Sequence, residues 1–270
     1  MNLKNAVKFF RKYYIILLFA ACILLVAFVV LIKSVLAEST YVYVKVKVGQ
    51  NSGITNTEKA TLWHLNSIKK GDTSKDLFGH EVASILGKYF YRSDDNIDQY
   101  DTYLILRLKT TYNQNSATFY FNKLPLSVGS AIELQFPRGY FTGTIIDISA
   151  KPIKDVYVDK IVYLAKRNAF PWEYNAIKIG DKASNGEETY FEILDKSMTE
   201  TTNITSDSFG NMNPNIIESR GYIIVKAKAK LKKVNDKWVV CEDREVIPGR
   251  ELGMSVSNFV FGEYIVIGIE

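Results

Sequence analysis

The sequence predicts a mainly β protein: an N-terminal transmembrane helix followed by two tandem, homologous small domains built as β-barrels or β-sandwiches. Three observations carry this prediction. Residues 13–32 form one uncharged run, a decapeptide occurs twice, and valine alternates with polar residues along several segments.

The uncharged run is twenty residues, Tyr13 to Ile32. At about 1.5 Å per residue a helix of that length crosses a hydrocarbon core of about 30 Å. Lys4, Lys8, Arg11 and Lys12 precede it and only Lys33 closely follows, which assigns residues 1–12 to a cytoplasmic basic segment and everything after the helix to the outside. Val35-Leu36-Ala37 before Glu38 has the small-residue form of a cleavage site. A signal peptide's apolar stretch covers only about 7–15 residues, so an uncleaved anchor fits better. Cys22 does not read as a lipidation site, because the apolar run continues well past it.

The formal charge of +5 comes from the anchor region. Residues 1–33 hold five Lys/Arg and no acid; 34 Lys+Arg less those five leaves 29 cations against 29 Asp+Glu in the remainder. A nucleic-acid partner is therefore not expected, since phosphate binding needs a basic excess. Cys241 is the sole cysteine outside the apolar run, which excludes an intrachain disulfide there and a cysteine-based zinc site.

The repeated decapeptides are Trp63-His-Leu-Asn66-Ser-Ile68-Lys69-Lys-Gly71-Asp72 and Trp172-Glu-Tyr-Asn175-Ala-Ile177-Lys178-Ile-Gly180-Asp181, identical at six of ten positions. The match continues through Ile85-Leu86 and Ile193-Leu194, Tyr103 to Leu106 and Tyr222 to Val225, then Gly129 with Ile132, Leu134 and Phe141 against Gly249 with Leu252, Met254 and Phe261. Two domains follow, copy 1 at 38–149 and copy 2 at 153–270, joined by the short link Ser149 to Pro152.

Within copy 1, Thr40 to Val48 alternates as a half-buried strand, and Val156 to Tyr163 is its counterpart. Tyr103 to Lys109 and Tyr222 to Lys230 repeat the pattern, with lysines on the water-facing side. Ala117 to Phe121 and Lys237 to Cys241 are further strands, and Asn235-Asp236 is a hairpin turn. Closing strands are expected at Ile132 to Phe136 and Gly143 to Ile148, then at Leu252 to Val256 and Tyr264 to Ile269. Asp76 to Tyr91 is read as extended rather than helical because Gly79 and Gly87 interrupt it. The polar stretches Ser93 to Asp101 and Ser197 to Ser219 are expected to be loops.

The repeated motif reads as structural: a strand ending in a turn, with Gly71 and Gly180 at positive φ and Asp72 and Asp181 capping the backbone. Trp63 and Trp172 are expected in the domain cores. Asn66, Asn175, Ile68, Ile177, Lys69, Lys178, Gly129 and Gly249 complete this set of structural positions. Asp94, Asn96 and Asp98 resemble the start of a calcium loop, but Gln99 stands in the glycine position and Ile105 where a bidentate Glu belongs. The histidines, His64 and His80, lie near Ser67 and Ser84 without a nucleophile elbow or a zinc motif. No catalytic residue, cofactor-binding residue, metal ligand or cofactor is assigned.

Ala176-Ile177-Lys178-Ile179-Gly180-Asp181-Lys182, with Pro248-Gly249-Arg250-Glu251-Leu252 and a closing strand to Ile269, resembles a bacterial family of single-pass membrane-anchored proteins known as a domain of unknown function. The resemblance covers 153–270 and, more weakly, 40–149; it implies one transmembrane helix and a β-rich outer domain, and assigns no activity. Val46-Lys-Val48-Gly49-Gln50 and Ile68 to Asp72 are also similar to barrel segments of periplasmic efflux adaptors. Those carry a long heptad hairpin that is missing here.

The functional expectation is a single-pass protein of the cell membrane, N-terminus inside, whose outer part is a non-catalytic binding or scaffolding module for another envelope protein. An adaptor or accessory subunit of an envelope transport or secretion complex is the alternative, and an envelope hydrolase the third. Self-association is left open.

Overall fold

A computed structural model describes residues 14, 16, 18–28, 40–52, 56–93, 98–206 and 209–270. Residues 18–28 form helix α1, with Tyr14 and Ile16 also helical and exposed; among the described residues no helix is long and apolar enough to cross a membrane. The expected cytoplasmic segment 1–12, positions 13, 15, 17 and 29–32 of the expected span, and Asp94 and Asn96 of the three calcium-loop oxygens lie outside the described residues.

The chain is mainly β. Copy 1 contributes β1 (Thr40–Val48), β2 (Gln50–Ser52), β3 (Asn56–Glu58), β4 (Ala60–Thr61), the single helical turn α2 (Leu62–Ser67), β5 (Thr73–Lys75), β6 (Glu81–Arg92), β7 (Gln99–Asn113), β8 (Thr118–Phe121), β9 (Leu124–Pro125), β10 (Ala131–Phe136) and β11 (Gly139–Ser149). Copy 2 contributes β12 (Val158–Ala169), α3 (Pro171–Ala176), β13 (Lys182–Ser184), β14 (Thr189–Ser206), β15 (Met212–Val234), β16 (Lys237–Val240), β17 (Arg244–Glu245), β18 (Met254–Ser255), β19 (Val260–Phe261) and β20 (Ile265–Ile269). Residues 42–108 and 127–270 form one compact unit, to which both copies contribute; residues 1–41 and 109–126 form another. In the latter, Asn122 (φ 48°) and Lys123 (φ 68°) make the β8–β9 turn, and Tyr112 packs on Phe119 at 4.8 Å between ring centroids.

Each copy builds its own antiparallel sheet in the same order. Copy 1 runs β11-β1-β7-β6-β5 with β10 outside β11, and copy 2 runs β20-β12-β15-β14-β13. Both sheets bulge at the same place, after Ile85 in β6 and after Ile193 in β14. Register places Lys88 opposite Leu104 and Lys196 opposite Val225. Leu104 is thus the counterpart of Val225, two positions away from the sequence match of Tyr103 with Tyr222. A two-residue slip keeps every side chain on its own face, so a period-2 pattern is blind to it.

Alternation decides what is buried. Val42, Val44, Val46 and Val48 of β1 meet Leu104, Leu106 and Leu108 of β7 in one core, while Val162, Leu164, Val225, Ala227, Ala229 and Leu231 line the other. The stretch expected as a loop at 197–219 is instead the far half of the β14–β15 hairpin, paired from Thr201 with Ile217 to Ser206 with Met212. Its threonines and isoleucines favour extended backbone, and cross-strand hydrogen bonds satisfy its backbone despite the polar composition.

The sheets meet through charge as well as apolar surface. Lys45, expected to face water, is 3% exposed because Asp155 and Glu242 lie over it, each 2.5 Å from its Nζ. Glu242, in the β16–β17 turn at φ 76°, also accepts from Lys232 and from the Tyr157 hydroxyl at 2.6 Å. Beside it Asp243 accepts from Lys47 (2.9 Å) and Tyr103 (3.0 Å), and Arg244 reaches Asp101 at 3.4 Å. Tyr91 stacks edge-on against Tyr190 at 5.0 Å, which joins copy 1 aromatics to the copy 2 core.

Burial pushes the Tyr157 and Tyr91 hydroxyls up, with the Glu242 carboxylate adding to it, and burial with Asp243 does the same for Tyr103. Burial opposes ionisation of Asp155, yet hydrogen bonding and the charges of Lys45 and Lys232 outweigh it and hold that carboxyl below its usual value.

Candidate functional site

The repeated decapeptide forms a helical turn followed by a β-turn, rather than the end of a strand. A lysine of the second strand after each motif seals the turn: Lys88 Nζ, in β6, donates to the carbonyls of Leu65 (3.0 Å) and Ile68 (2.9 Å), and Lys196 Nζ, in β14, to those of Tyr174 (2.5 Å) and Ile177 (2.6 Å). These carbonyls lie at the C-terminal ends of the short helices, where a helix leaves most carbonyls without intrahelical partners; that of Leu65 accepts from the Ile68 N–H as well, at 3.3 Å. Ile68 and Ile177 are the buried anchors, while Asn66, Asn175, Lys69 and Lys178 are exposed. Gly71 (φ 89°) and Gly180 (φ 88°) then donate to Ile85 and Ile193, each at 2.8 Å. Asp72 Oδ2 accepts from the Lys69 N–H at 2.8 Å, whereas Asp181 Oδ1 accepts from Asn258 at 2.9 Å. Gly129 and Gly249, both at φ 89°, make matching turns by donating to Ile145 (2.7 Å) and Val266 (2.8 Å).

This arrangement turns the tryptophans outward, correcting their expected place in the cores. Trp63 is 75% exposed and Trp172 62%, because the isoleucine five residues on takes the inward position of each turn. Trp63 stands at a cleft of about 380 Å³ lined by Lys59, Thr61, His64, Ser67, Arg138 and Tyr140 among others; among the described residues the lining includes no carboxylate, and Lys59 is paired with Asp101 at 3.6 Å. His64 Nε2 lies 3.0 Å from the Tyr140 carbonyl. A carbonyl only accepts, so Nε2 carries the proton. Ser67 Oγ donates to the His64 carbonyl at 2.7 Å, and at Gly139 a Cβ would stand 2.7 Å from that Oγ, which fixes the close approach of the β10–β11 turn to α2.

His80 sits apart on the β5–β6 turn, 3.2 Å from Asp76, so the two imidazoles have separate partners and neither meets a serine hydroxyl through its ring. Among the described residues no cluster of His, Cys, Asp and Glu could hold a metal ion. On copy 2 the corresponding surface is aromatic and cationic too: Trp172 stacks with Phe170 at 6.3 Å, and the Arg220 guanidinium lies 3.2 Å above the Phe170 ring. Arg138 and Tyr140 were not singled out by sequence; they arrive in the cleft through the β10–β11 turn, far from Trp63 along the chain.

No protein-family model, no curated protein and no solved structure matches the chain.

Proposed function

We propose that the chain is a single-pass, membrane-anchored extracytoplasmic protein whose two homologous β modules form a non-catalytic binding or scaffolding body of the cell envelope. One observation carries the binding part: Trp63 is held in water beside a cleft whose charged lining is cationic. An exposed indole gives up little ordering entropy when a partner covers it, and a cleft whose described lining carries Arg138 and Lys59 and no carboxylate favours an anionic group on that partner. The uncharged run at 13–32 supports the anchor.

The test is in-cell crosslinking of the full-length protein followed by mass spectrometry, with Trp63→Ala and Arg138→Glu as comparisons. A discrete partner recovered with the natural chain and lost with either variant supports the reading. An unchanged crosslinking profile removes it. The alternative of an adaptor in an envelope transport or secretion complex draws on the β14–β15 hairpin, whose distal half pairs only with itself among the described strands.

A further inference from the structure

Copy 2 holds copy 1 with a turn that copy 1 also possesses. In copy 2 the β13–β14 turn is organised by Asn185, whose Oδ1 accepts from the N–H groups of Glu187 (3.0 Å) and Glu188 (2.9 Å), while its own N–H donates to the Glu188 carbonyl at 3.0 Å. Copy 1 builds the same device at β5–β6, one residue longer: Asp76 Oδ1 accepts from Phe78 and His80, both at 2.9 Å, and the Asp76 N–H donates to the His80 carbonyl at 2.9 Å.

Their surroundings differ. The Asn185 carbonyl accepts from the Phe90 N–H of β6 at 3.0 Å, and a Cβ at Gly186 would stand 2.2 Å from the Phe90 ring, so this turn is docked. The Asp76 turn carries Leu77 at 102% and Phe78 at 85% exposure. A Leu-Phe pair held fully in water on an ordered turn marks a contact surface.

The receiving half is duplicated as well. Phe90 can donate to Asn185 because β5 covers β6 only as far as Ser84, leaving the later edge open. In β14, β13 reaches only to Glu192, and register makes Met198 the equivalent of Phe90, opposite Ile223 as Phe90 is opposite Thr102. The neighbour of Phe90 is Tyr100, in edge contact at 5.7 Å; the same register gives Gly221 that place in copy 2, with Met198 folded against it. The edge thus carries a smaller, unbranched pair, and the turn carries a larger one. Leu77 replaces Gly186, while Met198 and Gly221 replace Phe90 and Tyr100, a compensation in volume between surfaces that do not meet within one chain.

We propose that the chain self-associates head to tail: the Asp76–His80 turn of one molecule docks on the β14 edge at Met198 of the next, repeating the joint between copies 1 and 2. The contact is heterologous, so it propagates as a ring or a filament. It goes beyond the binding reading and needs neither Trp63 nor its cleft.

The experiment uses full-length chains in their membrane, in a Cys22→Ser background, with Cys241 buried and left in place. One tagged chain carries Leu77→Cys and a second, differently tagged, carries Met198→Cys; both are treated with a short bismaleimide. A mixed-tag dimer that neither chain gives alone, and that disappears when Phe78→Asp is added to the Leu77→Cys chain without lowering its melting temperature, supports the joint. Absence of the mixed dimer overturns it. So does a Leu77-to-Leu77 dimer, which requires a two-fold contact, or protection of the Leu77→Cys thiol by lipid alone, which would make the tip a membrane contact.

Discussion

The two copies share a hydrogen-bond skeleton and differ where they face each other. Gly71 and Gly180, Lys88 and Lys196, and Gly129 and Gly249 make equivalent contacts, yet Lys45 in β1 is buried under Glu242 while its register counterpart in β12, Tyr163, donates to the exposed Glu270 at 3.2 Å and lies under the Lys226 ammonium within its own copy. The backbone pattern belongs to each copy separately. The burial of a charged side chain belongs to the pair, because only a neighbouring sheet supplies the opposite charge that makes burial tolerable.

Attacking the surface between the sheets should therefore do far more than attacking either copy's outer face. The largest effect is expected from alkaline pH. Tyr91, Tyr103, Tyr157 and Tyr190 all have hydroxyl pKa values raised by burial, and Lys232 is raised because Glu242 and Asp155 outweigh its desolvation. A raised folded pKa means full stability below the unfolded value of about 10 and progressive loss above it. Denaturant melts should be level from about pH 7 to 9 and fall steeply beyond about 10; a level profile through pH 11 would show that these hydroxyls are not enclosed.

Next is Glu242→Ala, which leaves Lys45 and Lys232 buried without that carboxylate and should cost about 3–5 kcal/mol by chemical denaturation. A loss below about 1 kcal/mol would mean that the sheets are held by apolar contact alone. Smaller again is Gly186→Ala, which adds a Cβ against Phe90 at a φ of +93° and should cost about 2 kcal/mol, whereas Gly79→Ala, at a similar φ of +84° with nothing within 4 Å, should cost about 1. Equal losses would place Gly186 away from any joint.

Much of the fold was legible. Alternation in Thr40 to Val48 and Tyr103 to Lys109 marks strands because a sheet with one dry face imposes period 2. Gly71 and Gly180 mark turns because left-handed backbone strains other residues. The tryptophans misled because a large apolar residue in a repeated motif suggests a core, and the helical turn that rotates them outward is a single turn long, too short for a 3.6-residue period to register. Arg138 and Tyr140 carried no signal, since a cleft assembled from distant turns leaves no spacing along the chain.

The sequence alone determined the alternating strands, the glycine turns and the internal duplication: alternation, turn glycines and a repeated decapeptide are properties of neighbouring residues, and backbone sterics read them directly. Tertiary structure alone decided which faces are dry, which lysine is buried, where two strands slide by two residues, and which of two equivalent turns is docked. Those outcomes depend on what lies across a gap in space, and a contact between Lys45 and Glu242 is invisible until both sheets are built.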